Sequence, residues 1–398
     1  MVPIIALLVG VATLAAPPAQ AADDANTIVQ TRFGPLTPAD RDFLIKVRLA
    51  GLWEGPAGRE SQKRSNNPLI REAGRHLIDG HRELDATVLD LGRQLGVELP
   101  DEPTQELKNR LNMMDRTESP EEYDQVFVDL LRAAHGGVYQ LLAKVRAGTR
   151  NSLIRQFSQR CMEVVLDHMT VLENTGLVRW SELPLPPSPV EGQSPVAGMS
   201  QSAQGPLTMA DRDFLVKVRL AGLWERPSGE QAQERSGSDA VKEAGQHLMD
   251  GHAELDATVL QVAQDLGVEV PDEPNADQQG WMAEMANADT PQEYDQVFVA
   301  RLRAAHGKVF GLVAQIRAGT RNNMIRAFST RTMEVVLDHI VMLEATELVN
   351  FASLPLPPDP GPIGPVNGRS VNPLLVISIL AVALAMTVAA RAGRFYRI

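Results

Sequence analysis

Three observations predict an all-α protein made of two tandem four-helix bundles followed by a C-terminal transmembrane helix. One long segment is written twice at a fixed offset of 171 residues. Within each copy the apolar residues recur at helical spacing. The chain then ends in an uncharged apolar run closed by arginines.

Composition bounds the rest. The chain has 398 residues, 44% of them hydrophobic, which suits two or three packed units and excludes wholesale disorder. Its net charge of −12 argues against a broad nucleic-acid-binding surface. The single cysteine, Cys161, excludes an internal disulfide framework, an iron–sulfur cluster and a cysteine-based zinc site.

Residues 1–21 read as a secretory signal peptide. An apolar run from Pro3 to Ala16 precedes Ala19-Gln20-Ala21, a small-x-small cleavage pattern. The first bundle is assigned to 36–182 and the second to 207–353. Leu36-Thr37 through Trp53-Glu54 recurs as Leu207-Thr208 through Trp224-Glu225, and Asp79-Gly80-His81 recurs as Asp250-Gly251-His252. Tyr123 to Val128 recurs as Tyr294 to Val299, and Val164 to His168 as Val335 to His339.

Four helices are expected per copy. Thr37-Pro38 caps the first, whose stripe is Phe43, Val47, Ala50 and Glu54, with Pro56 expected to break or kink it. Asn67-Pro68 opens the second, with its stripe from Ile70 through His81 to Leu95 and an end near Gly96. Ser119-Pro120-Glu121-Glu122 reads as a capping box for the third, which carries Phe127, His135 and Leu142 and stops at Gly148. The fourth starts near Thr149 and carries Ile154, Phe157, Cys161, His168 and Leu172. No period-2 segment is evident, and 97–119 reads as a link.

Residues 183–206 and 354–372 are rich in Pro, Ser and Gly and read as semi-extended spacers. The run 373–390 is uncharged and about 27 Å long as a helix, enough to span a bilayer. Arg391, Arg394 and Arg397 follow in the tail 391–398, which places that tail in the cytoplasm and the bundles outside the membrane.

All eight histidines fall in the repeats, as the pairs His76/His247, His81/His252, His135/His306 and His168/His339. His81, His135 and His168 occupy core stripes of three different helices, and Glu54 occupies the fourth. Glu54 and His81 are equidistant from the turn at Asn67/Pro68. His135 and His168 are equidistant from Asn151/Ser152, so all four stand near mid-bundle whichever way the link runs. Glu54, His81, His135 and His168, with Glu225, His252, His306 and His339, are therefore candidate metal ligands. Three imidazoles and a carboxylate suit Zn, Fe, Mn or Cu. Asp79, Asp124 and Asp167 are candidate partners for the imidazole N–H groups. The alternative is a hydrogen-bonded polar layer without metal, since buried ionisable groups need partners of some kind. His76 reads as solvent-facing. Arg132, Arg146, Arg150, Arg155 and Arg160 read as a solvated, salt-bridged face, with an anionic partner as the alternative, and Trp53 and Trp224 as core residues.

Phe43, Gly51, Glu54, Asp79-Gly80-His81, Tyr123-Asp124, Phe127, Ala134-His135 and Asp167-His168 resemble the exported bacterial domain of unknown function 4142, whose members are often labelled outer-membrane proteins. That resemblance implies a ferritin-like bundle and no established activity. The Glu-x-x-His pairs of di-iron bundles are missing, because Ile78, Arg132 and Val165 stand three residues before the histidines.

The functional expectation is a membrane-anchored extracytoplasmic protein binding or sensing a metal through the two centres, non-enzymatic rather than enzymatic. A structural or interaction module of the cell envelope, with a protein partner, is the alternative. A metal-dependent redox enzyme is a third class. The sequence assigns no oligomeric state.

Overall fold

The computed structural model describes residues 27–358 and residue 360. The signal-peptide segment 1–21, most of the stalk and the run 373–390 lie outside the described residues. Among the described residues no helix is long and apolar enough to cross a membrane.

The first copy contains strands β1 (Val29–Thr31) and β2 (Gly34–Leu36). Helices α1 (Pro38–Arg64), α2 (Pro68–Leu95), α3 (Gln105–Asp115), α4 (Pro120–Gly148) and α5 (Ser152–Asn174) follow. The second copy repeats them as β3 (Ser200–Ser202), β4 (Gly205–Leu207), α6 (Met209–Arg235), α7 (Asp239–Leu266), α8 (Ala276–Ala286), α9 (Pro291–Gly319) and α10 (Asn323–Ala345).

The helix signals act largely as read. Thr37 caps α1 in a reciprocal box with Asp40, and Asn67 caps α2. Gly96 ends α2 with φ of 67°, the left-handed conformation that glycine adopts without a Cβ penalty. Ser119 accepts from the Glu122 amide, but Glu122 reaches back to the amide of Glu118 rather than to that of Ser119. The fourth long helix, expected to start near Thr149, starts at Ser152 with Asn151 as its cap. Pro56 does not break α1, which runs 27 residues through it. Proline removes one intrahelical bond, but Trp53, Ala57 and Ser61 are buried on either side of it, and tertiary packing outweighs the local loss.

Two features depart from the sequence reading. The link 97–119 contains α3, an 11-residue helix capped by Thr104. A β1–β2 hairpin also precedes α1 in each copy, too short to show a period of two. It covers the α4–α5 turn: Asn151 Nδ2 donates to Thr31 Oγ1 and Gly34 O, both at 3.2 Å.

Packing fixes the topology. One core joins the start of α1 (Phe43, Leu44, Val47) to the end of α2 (Val88, Leu91, Leu95), the end of α4 (Leu142, Val145) and the start of α5 (Ile154, Phe157). A second core joins Trp53 and Ala57 to Ile70, Leu77, Tyr123, Phe127 and Leu172. Helices α1 and α5 therefore run one way, and α2 and α4 the other. The link carrying α3 crosses the whole length of the bundle, tied to α1 by Arg48 Nε donating to Pro100 O and Arg64 donating to Met114 O and Thr117 O.

The copies are not beads on spacers. Helix α4 packs against α9, and one apolar core contains residues of both copies, including Tyr139, Leu142, Phe310 and Val313. The guanidinium–carboxylate contacts of this seam occur twice with the roles exchanged. Arg317 grips Glu173 at 2.7 and 2.9 Å, and Arg146 grips Glu344 at 2.9 Å through both nitrogens. Arg132 and Arg303 add bonds of 2.8 and 3.0 Å to the same two carboxylates from within each copy. Arg132 also donates to Ala318 O, and Arg303 to Ala147 O. This corrects the expectation of a solvated arginine face. Arg132 and Arg146 are 1% exposed, and only Arg160 matches that description, half-exposed and paired with Glu83 and Glu163.

The segments after each bundle cross the seam. Arg321 holds Ser181 O and Leu183 O, Arg326 lies 3.5 Å over Trp180, and Arg150 holds Leu354 O. Gly148 has no Cβ because that atom would stand 2.5 Å from Pro355 O. Chain that reads as spacer is thus partly structural.

Each seam carboxylate faces several buried guanidinium groups, and burial, with the like charges of Arg317 and Arg326, pulls the Arg132 pKa down to about 10 against the opposing pull of Glu173. Removing one partner of a buried ion pair strands the other charge. Glu173→Ala is therefore expected to cost about 3–5 kcal/mol, and Glu344→Ala a similar amount, read from chemical denaturation midpoints of the full-length chain.

Candidate metal centre

Between the two cores of each copy lies a layer of four ionisable side chains. Helix α1 supplies Glu54, α2 His81, α4 His135 and α5 His168, each 1–5% exposed. The stripe arithmetic placed them on inward faces, and the structure brings all four together. His81 Nε2 stands 2.7 Å from Glu54 Oε2, and His135 Nε2 stands 3.2 Å from the same oxygen. His135 Nε2 and His168 Nδ1 are 3.1 Å apart. The second copy repeats this with Glu225, His252, His306 and His339, at 2.7, 3.2 and 3.0 Å.

The outer ring nitrogens fix the tautomers. His135 Nδ1 lies 2.8 Å from Leu131 O, and His168 Nε2 lies 3.0 Å from His76 O. A carbonyl only accepts, so each of those nitrogens carries its proton. In the neutral rings, His135 Nε2 and His168 Nδ1 then aim lone pairs at one another, beside the Glu54 carboxylate. Such an arrangement could accommodate a cation between them, either a proton or a metal ion.

Electrostatics disfavour the proton. Burial holds the His135 imidazole below its ordinary range, with Glu54 opposing and His81 and Arg132 adding to the depression. Burial, His135 and His81 push His168 well below. Burial raises the Glu54 carboxyl, but its neighbours His135 and His81, the latter 2.7 Å away, more than offset this, so it stays low and ionised. Ligand atoms about 2.0–2.1 Å from a tetrahedral ion stand about 3.3 Å apart. The ring nitrogens of His81, His135 and His168 lie within 4.8 Å of one another, and in the second copy the carboxylate of Glu225 joins that set.

The aspartates expected to support the rings do not. Asp167 pairs with the half-exposed His76 at 2.6 Å, Asp79 pairs with Arg82 on the surface, and Asp124 has its side-chain bond at Ser65. Backbone carbonyls take their place for His135 and His168. His81 Nδ1 is buried without a partner, as is His252 Nδ1. His76 is solvent-facing as expected, and Trp53 and Trp224 are buried in their cores.

Sequence reasoning passed over Gly80 and Gly251. A Cβ on Gly80 would lie 2.5 Å from His168 Nε2 and 2.8 Å from Val164 Cγ1, and Gly251 stands in the same relation to His339. The signal was visible: a helix-interior glycine, normally costing about 0.5–1 kcal/mol, next to a repeated histidine.

The fold and site define a protein of two fused helical bundles, each with a buried carboxylate–imidazole centre. The family described as "Domain of unknown function (DUF4142)" matches residues 25–174 and again 196–346, and the chain belongs to that family. A curated protein of Yersinia enterocolitica named adenosine deaminase is 30% identical over 177 residues, which is 42% of this chain. The match spans 47% of that relative's length, so this chain covers about half of it. No solved structure matches.

Two outcomes follow. On unfolding, His135, His168, His306 and His339 regain an ordinary pKa near 6.5 and bind protons that the folded rings refuse. Their stabilising effect is complete above that value and is lost as pH falls below it. Glu54 and Glu225, held below 4.5, add a loss of the same sign at lower pH. The melting temperature of the metal-stripped chain should fall from pH 7 to pH 5, and a flat profile would contradict this assignment. Gly80→Ala, a change that stabilises most helices, should instead destabilise by about 1–3 kcal/mol in thermal denaturation, because His168 must move.

Proposed function

We propose that the chain is an exported protein tethered to the membrane by its C-terminal apolar run, and that each bundle binds one transition-metal ion, Zn, Fe or Mn. The ligands are Glu54, His81, His135 and His168 in the first bundle and Glu225, His252, His306 and His339 in the second. The observation that carries this reading is the pair of facing lone pairs, His135 Nε2 and His168 Nδ1, 3.1 Å apart beside an ionised carboxylate. Dry surroundings make a proton costly there, whereas a divalent ion would take up the facing lone pairs and the carboxylate together.

Four protein ligands fill a tetrahedral shell, which suits retention or sensing of the ion rather than hydrolytic catalysis. The deaminase likeness covers under half of either chain and is not carried over. A cell-envelope protein is the class of partner that an exported, tethered chain would meet. The 2.7 Å Glu54–His81 contact favours a second reading, a metal-free polar layer in a structural module, because that pair alone is already a satisfied hydrogen bond.

Elemental analysis of the full-length chain, purified without a His-tag, separates the two readings. The metal reading expects near two ions per chain, a melting temperature lowered by chelator, and loss of the metal in the His81→Ala/His252→Ala double variant. Absence of metal with an unchanged melt would leave the polar layer.

A further inference from the structure

Outside the first centre, a groove runs between two facing ridges, Arg48, Leu52, Gly55 and Arg59 on α1 and Ile78, Arg82, Asp85 and Leu89 on α2. Gly51, Gly55 and Pro56 keep the α1 wall low. His81 lines the groove, about 1130 Å³ of space partly open to solvent. Three guanidinium groups border it. Arg48 is engaged by Asp85 and Pro100 O, and Arg82 by Asp79. The Arg59 side chain forms no hydrogen bond or ion pair among the described residues, and its Nη1 lies 3.6 Å from where a Cβ of Gly55 would stand.

The second copy keeps Glu225 and its three histidines but rewrites this wall. Arg226 stands at the place of Gly55, Glu230 at that of Arg59 and Ala253 at that of Arg82. Arg226 and Glu230 pair with each other at 3.6 Å. The same mouth thus carries an unpaired guanidinium in the first copy and an arginine–glutamate pair in the second.

We propose that the α1–α2 groove of the first copy is a binding site for a small oxyanion, phosphate-like or carboxylate, held by Arg59 and Arg82 and completing the environment of His81. The second half rests on the metal reading. With a metal on Nε2, the His81 proton sits on Nδ1, and that N–H, alone among the three imidazoles of the centre, has no protein acceptor. An oxyanion supplies one. Metal and anion then bind with positive coupling, and each must strengthen the other equally.

Calorimetric titration of the full-length chain tests this, with sulfate as the tetrahedral probe and acetate as the carboxylate probe. Each is run on chelator-stripped protein and on protein loaded with zinc. One anion per chain is expected, not two. Affinity should fall about tenfold or more in Arg59→Glu, which loses one charge-assisted contact and adds a repelling carboxylate. The triple variant Arg226→Gly/Glu230→Arg/Ala253→Arg should gain a second site, a result that misfolding cannot mimic. Stronger sulfate than acetate binding assigns the site to tetrahedral oxyanions, and the reverse to carboxylates. Absence of binding by both probes, two equivalent sites in the unaltered chain, or an affinity indifferent to Arg59→Glu overturns the site. Zinc taken up normally while neither anion binds would sink this proposal alone. Anion binding unchanged by zinc would remove the His81 coupling.

Discussion

A carboxylate and three imidazoles kept out of water at mid-bundle set the terms for the rest of each copy. Such groups are costly to bury singly, so each must face another. Four helices that each contribute one group have to agree in level, and long, straight, antiparallel helices do that with the least strain. The layer divides the apolar interior in two, which is why two cores rather than one flank it. It also dictates local sequence: a glycine on α2 where the His168 ring approaches, and carbonyls of Leu131 and His76 where ring protons must be received.

The seam solves a related problem with larger charges. Guanidinium groups from both copies converge on Glu173 and Glu344, and the carboxylates are shared across the interface rather than kept within one bundle. A bundle alone would expose that charge imbalance together with the apolar faces of α4 and α9. The crossing segments add backbone acceptors for Arg150 and Arg321. Polar bonds and the shared core thus act on the same surface.

Much of this was legible beforehand because it rests on local chemistry. Thr37, Asn67 and Gly96 mark helix ends by mechanisms confined to a few residues, and the stripes of α2 and α5 follow from helical spacing alone. The level of the four site residues came from counting outward from turns. What escaped notice depends on distant chain. Arg132 and Arg146 look like any surface arginines until their Glu partners arrive from across the seam. Pro56 looks like a stop until the packing around it is known. The aspartates beside the histidines in sequence proved to face elsewhere, since neighbours along a helix point in different directions.

The exchange of roles across the seam has a consequence for how such a molecule can change. A symmetric dimer of identical chains must carry every substitution on both halves at once. Joining the halves in a single chain releases that coupling: Gly55 can persist in one while Arg226 occupies the matching place in the other. Residues that meet across the interface remain bound to one another's fate, but the outward faces are free to take up separate tasks around the same interior.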